Sequence, residues 1–164
     1  MDLYTIYDYP RLPRQVEQDS LRVAQSSKPF FEIALPGQCV FELYQAPLSL
    51  QQWFLSNSFF DHSCAVFVQQ MRFGNCMLPH VDAGDLSKNV LPRECAFNYL
   101  LSPSGPATEW YRDQDISTVF ERVVFPSHTW HRIKTDVLHG VRNITEPRIA
   151  ITISKYEHET PADN

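Results

Sequence analysis

Glycine is scarce in this chain, 5 residues of 164 against 12 prolines. That balance excludes a collagen-like or glycine-rich array and suits a sheet-rich fold with proline-punctuated loops better than a helical bundle. Positive charge is short as well: 14 Lys+Arg against 19 Asp+Glu leave a net charge of −5. The deficit works against a large phosphate-binding surface, so nucleic acid is disfavoured as a main partner. No C-x-x-C pair or zinc-finger spacing occurs among Cys39, Cys64, Cys76 and Cys95. They read as buried or half-buried free thiols, which places the chain in a reducing, cytoplasmic compartment. No long apolar run exists either. The longest uncharged stretch, residues 43–60, is broken by Pro47 and carries Gln45, Gln51, Gln52 and Asn57, so no membrane span is expected. The first ten residues carry Asp2 and Asp8 where a secretion signal would be basic, and lack its apolar segment.

What remains is an ordinary globular composition, 43% hydrophobic and 13% aromatic, in a length that suits one domain. Residues 14–25, with Val16, Leu21, Val23 and Ala24 among polar neighbours, predict a helix that covers one side of a core. Residues 30–34 and 39–45 predict two strands joined by a Pro36-Gly37 turn, and Ser49 is placed to cap a short helix to Asn57 with Leu50, Trp53 and Phe54 buried. From residue 65 the pattern changes. The stretches 65–73, 94–101, 108–112, 119–125, 130–134, 137–141 and 148–156 are short, rich in β-branched and aromatic residues, and bounded by turn formers. The expected fold is mainly β with flanking helices, built on a jelly roll. The expected organisation is one domain over 1–164, with 1–64 as supporting elements, 65–156 as the core and 157–164 as a tail.

Two short motifs carry chemistry. In Pro79-His80-Val81-Asp82, side chains two apart on an extended segment point the same way, so His80 and Asp82 can reach one ion. Alone, an H-x-D triplet reads first as a loop histidine hydrogen-bonded to a neighbouring carboxylate. The second motif is Leu138-His139-Gly140-Val141, followed by the strand from Arg148 to Ser154. His139 with the first pair makes two histidines and one carboxylate, the ligand set of non-haem Fe(II) centres with open coordination positions. Along the last strand, alternation puts Ile149, Ile151 and Ile153 on one face and Arg148, Ala150, Thr152 and Ser154 on the other. A cation with a hydroxyl four residues on and only an alanine between makes a slot for a carboxylate.

With H-x-D, a distal His and an Arg nine residues later, the chain resembles the Fe(II)- and 2-oxoglutarate-dependent oxygenases with a double-stranded β-helix core, and the stretch from His139 to Thr152 is similar to the prolyl hydroxylase branch. The resemblance covers residues 65–156. It implies His80, Asp82 and His139 as iron ligands and catalytic centre, with Arg148 and Thr152 on the distal carboxylate of 2-oxoglutarate. Tyr99 matches a strand tyrosine that holds the same carboxylate in the prolyl hydroxylases, whereas Asn98 points to the opposite face and matches other small members. Register decides between them, and the resemblance favours Tyr99. It further implies Fe(II) as cofactor, 2-oxoglutarate and dioxygen as cosubstrates, and hydroxylation of a small metabolite, amino acid or peptidyl residue with release of succinate and CO2. A homodimer is compatible with it. The sequence departs from the family at Ala150, where a hydroxyl residue is common, and at residues 104–110, where the prolyl hydroxylases carry a Gly-Gly segment. The second departure weighs against peptidyl proline as substrate.

Other residues compete for these roles. His128 and His131 offer an all-histidine site with His139, although alternation sends them to opposite sides, and Asp85 is a loop residue near the H-x-D. Lys88 and Arg93, in the stretch 83–93, lie where substrate would be met, and Trp110 and Tyr111 are core or entrance residues. The competing functional class is a non-oxidative, cupin-like protein that binds a metal or ligand; a β-sandwich interaction module without chemistry is a third. The first has no use for a strand cation nine residues after the last ligand, and the second has no reason to keep all six site residues together.

Overall fold

The computed structural model describes residues 2–34, 40–58, 64–72, 74–82, 95–103 and 105–155. Two helices, α1 (Arg14–Ser26) and α2 (Leu48–Ser56), accompany eleven strands: β1 (Tyr4–Tyr7), β2 (Phe31–Ala34), β3 (Val40–Gln45), β4 (Cys64–Arg72), β5 (Gly74–His80), β6 (Cys95–Leu100), β7 (Thr108–Tyr111), β8 (Val119–Val123), β9 (Trp130–Lys134), β10 (His139–Ile144) and β11 (Arg148–Lys155). The strands form a seven-stranded sheet in the order β1-β9-β6-β11-β4-β3-β2 and a four-stranded sheet in the order β5-β10-β7-β8. Every pairing is antiparallel. This is the jelly-roll layout the short, turn-bounded strands predicted.

Alternation divides the large sheet into two kinds of face. Tyr44, Val68, Ile151, Tyr99 and Trp130 are successive cross-strand partners and form one continuous row. This row packs with Val16, Ala24, Leu50 and Phe54 of the helices into the main apolar core. At roughly 25 cal/mol per Å² of buried apolar area, such a row and its helical cover supply most of the drive to fold. The opposite face meets the small sheet: Met71 on β4 packs with Val141 and Ile144 on β10, and Tyr4 on β1 stacks on Trp110 of β7.

Several expectations need correction. β1 and β5 were not anticipated. β5 reads Gly-Asn-Cys-Met-Leu-Pro-His, and its glycine, asparagine and proline hide a strand that long-range pairing with β10 enforces. Ser49 does not cap α2. Pro47 takes the cap position, preset by its fixed φ, and Ser49 donates its hydroxyl to Asp19 at 2.8 Å, tying α2 to α1. Cys64 is half-buried as expected, but Cys95 is exposed. The Pro36-Gly37 turn, Cys39, Asp85, Lys88 and Arg93 lie outside the described residues, as does the whole tail, 157–164. No described helix is long and apolar enough to cross a membrane.

Candidate metal and anion site

β5 and β10 are neighbours in the small sheet, and their register sets His139 directly opposite His80. Directly opposed residues of an antiparallel pair have Cβ atoms about 5 Å apart, so both imidazoles share one spot, and their ring centroids are 4.4 Å apart. Asp82 lies just beyond β5, its backbone N–H donating to the Thr135 carbonyl at 2.9 Å, which fixes the chain where it leaves the sheet. One Asp82 carboxylate oxygen stands 3.6 Å from His80 Nε2. Ligand atoms from His80, Asp82 and His139 all lie within 4.8 Å of one another. His139 Nδ1 faces the Val137 carbonyl at 3.0 Å and donates its proton there, leaving the Nε2 lone pair for a metal. Two neutral nitrogens and one carboxylate fit a divalent transition ion and leave other coordination positions open.

Arg148, Ala150 and Thr152 project from β11 toward the small sheet, opposite to Ile149, Ile151 and Ile153, which join the apolar core. Arg148 is 7% exposed, and among the described residues its polar contact is the Met71 sulfur at 4.0 Å. Burial lowers its pKa to about 10, so the guanidinium stays charged at neutral pH. Among the described residues no carboxylate pairs with it, and its Nε has no hydrogen-bond partner. A buried unpaired cation is costly and calls for an anion. Thr152 Oγ1 and Asn98 Oδ1 are likewise buried without partners, and Asn98 is the direct cross-strand neighbour of Thr152. These groups form a polar recess between the two sheets.

Tyr99 is not part of it, and the expectation that favoured it is corrected. Tyr99 pairs with Ile151 and faces the helices, where its hydroxyl donates to Glu17 at 2.6 Å and accepts from the Leu12 N–H at 3.3 Å. Asn98, the other residue weighed, holds the interior position. His128 also goes to the helix side, its Nδ1 2.9 Å from Glu17, so the all-histidine site does not form. His131 was expected on the other side from His128, and lies in the interior beside Asn98, its cross-strand partner. Its place on the same face as Thr152, with Asn98 between them, follows from alternation only once the pairing of β6 with β9 is known. Trp110 and Tyr111 are both buried core residues. A separate cleft of about 250 Å³ beside α2, lined by Gln51, Phe54, Leu55 and Val66 among others, does not include the metal-type cluster.

Neither a protein-family model nor a curated protein matches this sequence. Solved structures do match. SnoN, a non-heme alpha-ketoglutarate-dependent epimerase from nogalamycin biosynthesis, aligns over 93% of this chain and 76% of its own with a TM-score of 0.58 and 11% identity. HygX from Streptomyces hygroscopicus, with nickel, 2-oxoglutarate and hygromycin B bound, aligns over 92% of this chain and 81% of its own, with a TM-score of 0.54 and 11% identity. The chain folds like 2-oxoglutarate-dependent enzymes. At such identity the likeness is one of fold, and function rests on the site.

Proposed function

We propose that this protein is an Fe(II)- and 2-oxoglutarate-dependent oxygenase that hydroxylates a small molecule. The observation that carries this reading is the pairing, in one interior, of a His80–Asp82–His139 cluster with a buried Arg148 that has no carboxylate partner among the described residues. A metal-binding cupin without oxidative chemistry has no need of that cation. SnoN is alpha-ketoglutarate dependent, and HygX holds 2-oxoglutarate together with hygromycin B, which supports a small molecule over a peptidyl residue as substrate.

His80, Asp82 and His139 would hold the ferrous ion, which supplies activation of dioxygen. Arg148 binds the distal carboxylate of 2-oxoglutarate through parallel N–H bonds, and Thr152 adds a hydroxyl donor. Asn98 takes the place expected of Tyr99. Trp110, Val141 and Met71 are buried and give the interior an apolar wall, whose low dielectric strengthens the Arg148 attraction. The overall reaction, substrate C–H plus dioxygen plus 2-oxoglutarate to alcohol, succinate and CO2, is balanced without a further reductant. Free Cys64 and Cys95 fit a cytoplasmic setting.

The test is a metabolite-library screen for Fe(II)-dependent succinate formation. A hit is expected to release succinate with the wild type and none with Asp82→Ala. If every hit turns over equally with Asp82→Ala, the assignment fails.

A further inference from the structure

Arg148 is not alone in lacking a partner. Thr152 on β11, Asn98 on β6 and His131 on β9 are successive cross-strand neighbours on the interior face, and each has one buried polar atom without a hydrogen bond. Their exposures are 2%, 5% and 1%. Buried polar atoms are nearly always satisfied, so four on one interior face point to a place where something binds. The remaining orphan, Gln70 Oε1, belongs to a residue paired with Ile149 and so faces the other way.

The donor and acceptor count is informative. A carboxylate at Arg148 accepts from the guanidinium and from the Thr152 hydroxyl, which satisfies two of the four atoms. His131 Nε2 is different. Its Nδ1 faces the Thr129 carbonyl at 3.3 Å and carries the ring proton, so Nε2 presents a lone pair. The ring is stacked on Phe125, with centroids 3.8 Å apart and planes 11° from parallel, which holds the ring plane in place. Burial, reinforced by the Arg148 charge, lowers the pKa to about 3 and keeps the imidazole neutral. A carboxylate has no proton to give this acceptor. Asn98 can resolve the same problem by turning its amide; His131 cannot.

Building on the 2-oxoglutarate reading, we propose that His131 is a positioning residue of the anion recess: its neutral Nε2 accepts from a water whose second proton is donated to the carboxylate held by Arg148. The water converts a fixed acceptor into a donor toward the anion, and a bridging water costs little compared with a direct bond. His131 thus fixes the ligand on the side away from Thr152.

Calorimetry of 2-oxoglutarate binding to the full chain loaded with Ni(II), which occupies nitrogen and carboxylate ligands without turnover, tests this. His131→Leu keeps the bulk and removes the acceptor. It is expected to melt no lower than the wild type in the absence of ligand, because an unsatisfied buried acceptor is gone. It is also expected to bind 2-oxoglutarate about tenfold more weakly, with His131→Gln, which retains an acceptor, recovering most of the loss. Equal affinity of wild type and His131→Leu overturns the role of His131. Failure of the nickel-loaded wild type to bind 2-oxoglutarate at all overturns the oxygenase reading instead. Nitrogen NMR of the wild-type imidazole gives a check that needs no variant: His131 keeps its proton on Nδ1 with and without ligand. An imidazolium or an Nε2–H tautomer in the complex contradicts the water bridge.

Discussion

At the scale of single residues, His131 also has a consequence for stability. Its pKa in the folded protein is about 3 against an ordinary value of 6.5, so below pH 6.5 the unfolded chain binds a proton that the folded chain refuses. Stability therefore falls as pH drops through about 6.5 and goes on falling until about 3. The cost reaches about 3 kcal/mol near pH 4 at ~1.4 kcal/mol per unit. Denaturant melts at a series of pH values should show His131→Leu losing less stability on acidification than the wild type. A second residue-scale prediction separates the neighbours Asn98 and Tyr99. Asn98→Ala should weaken 2-oxoglutarate binding severalfold, while Tyr99→Phe should leave that affinity unchanged and lower stability by about 1–2 kcal/mol through loss of the Glu17 bond. Both residues are legible in the sequence, and the family resemblance favours Tyr99, the choice that the structure reverses. Tyr99 looks like the better ligand chemically, and only the register that places it opposite Ile151 and Trp130 turns it toward the helices. By contrast, alternation alone predicts that His80 shares a face with Asp82 and Arg148 with Thr152; grouping these pairs with His139 rests on the family resemblance, because it needs the long-range pairing of β5 with β10.

At the scale of elements, α1 is bound to the large sheet by a buried carboxylate. Burial works to raise the Glu17 pKa, but hydrogen bonds from Tyr99, Arg11 and His128 outweigh it and hold the group below the usual carboxylate range. His128 reaches Glu17 from a left-handed backbone, φ 58°, a conformation uncommon for a non-glycine residue. The depressed pKa means that this contribution is present above about pH 4.5 and is lost below it. Glu17→Ala strands the Tyr99 hydroxyl and is expected to lower the unfolding free energy by about 2–3 kcal/mol, measured by denaturant titration at neutral pH. The carboxylate sits on the helix face of the sheet, remote from the metal ligands, so metal affinity should not change. Long, periodic elements were legible: α1 and the strands from β6 onward follow their hydrophobic patterns. β1 and β5 were not, because each is short or carries strand breakers and exists through its pairing with β9 or β10.

At the scale of the whole molecule, two sheets enclose an interior that holds both the metal-type cluster and the buried Arg148. An unpaired buried cation destabilises the fold until an anion joins it, so ligand and fold are linked. With metal bound and 2-oxoglutarate at about 100 times its Kd, the gain is about 2.7 kcal/mol, or roughly 5–10 °C in Tm for a chain of this size. A chelator should reverse it. The acidic net charge of −5 has no bearing on this site, since the one charge that matters is enclosed. The most direct test of the account is the visible absorbance of the protein with Fe(II) and 2-oxoglutarate under anaerobic conditions. The account predicts a weak metal-to-ligand charge-transfer band that needs both components and is missing in Asp82→Ala. An iron-loaded wild type that shows no band at saturating 2-oxoglutarate would contradict it.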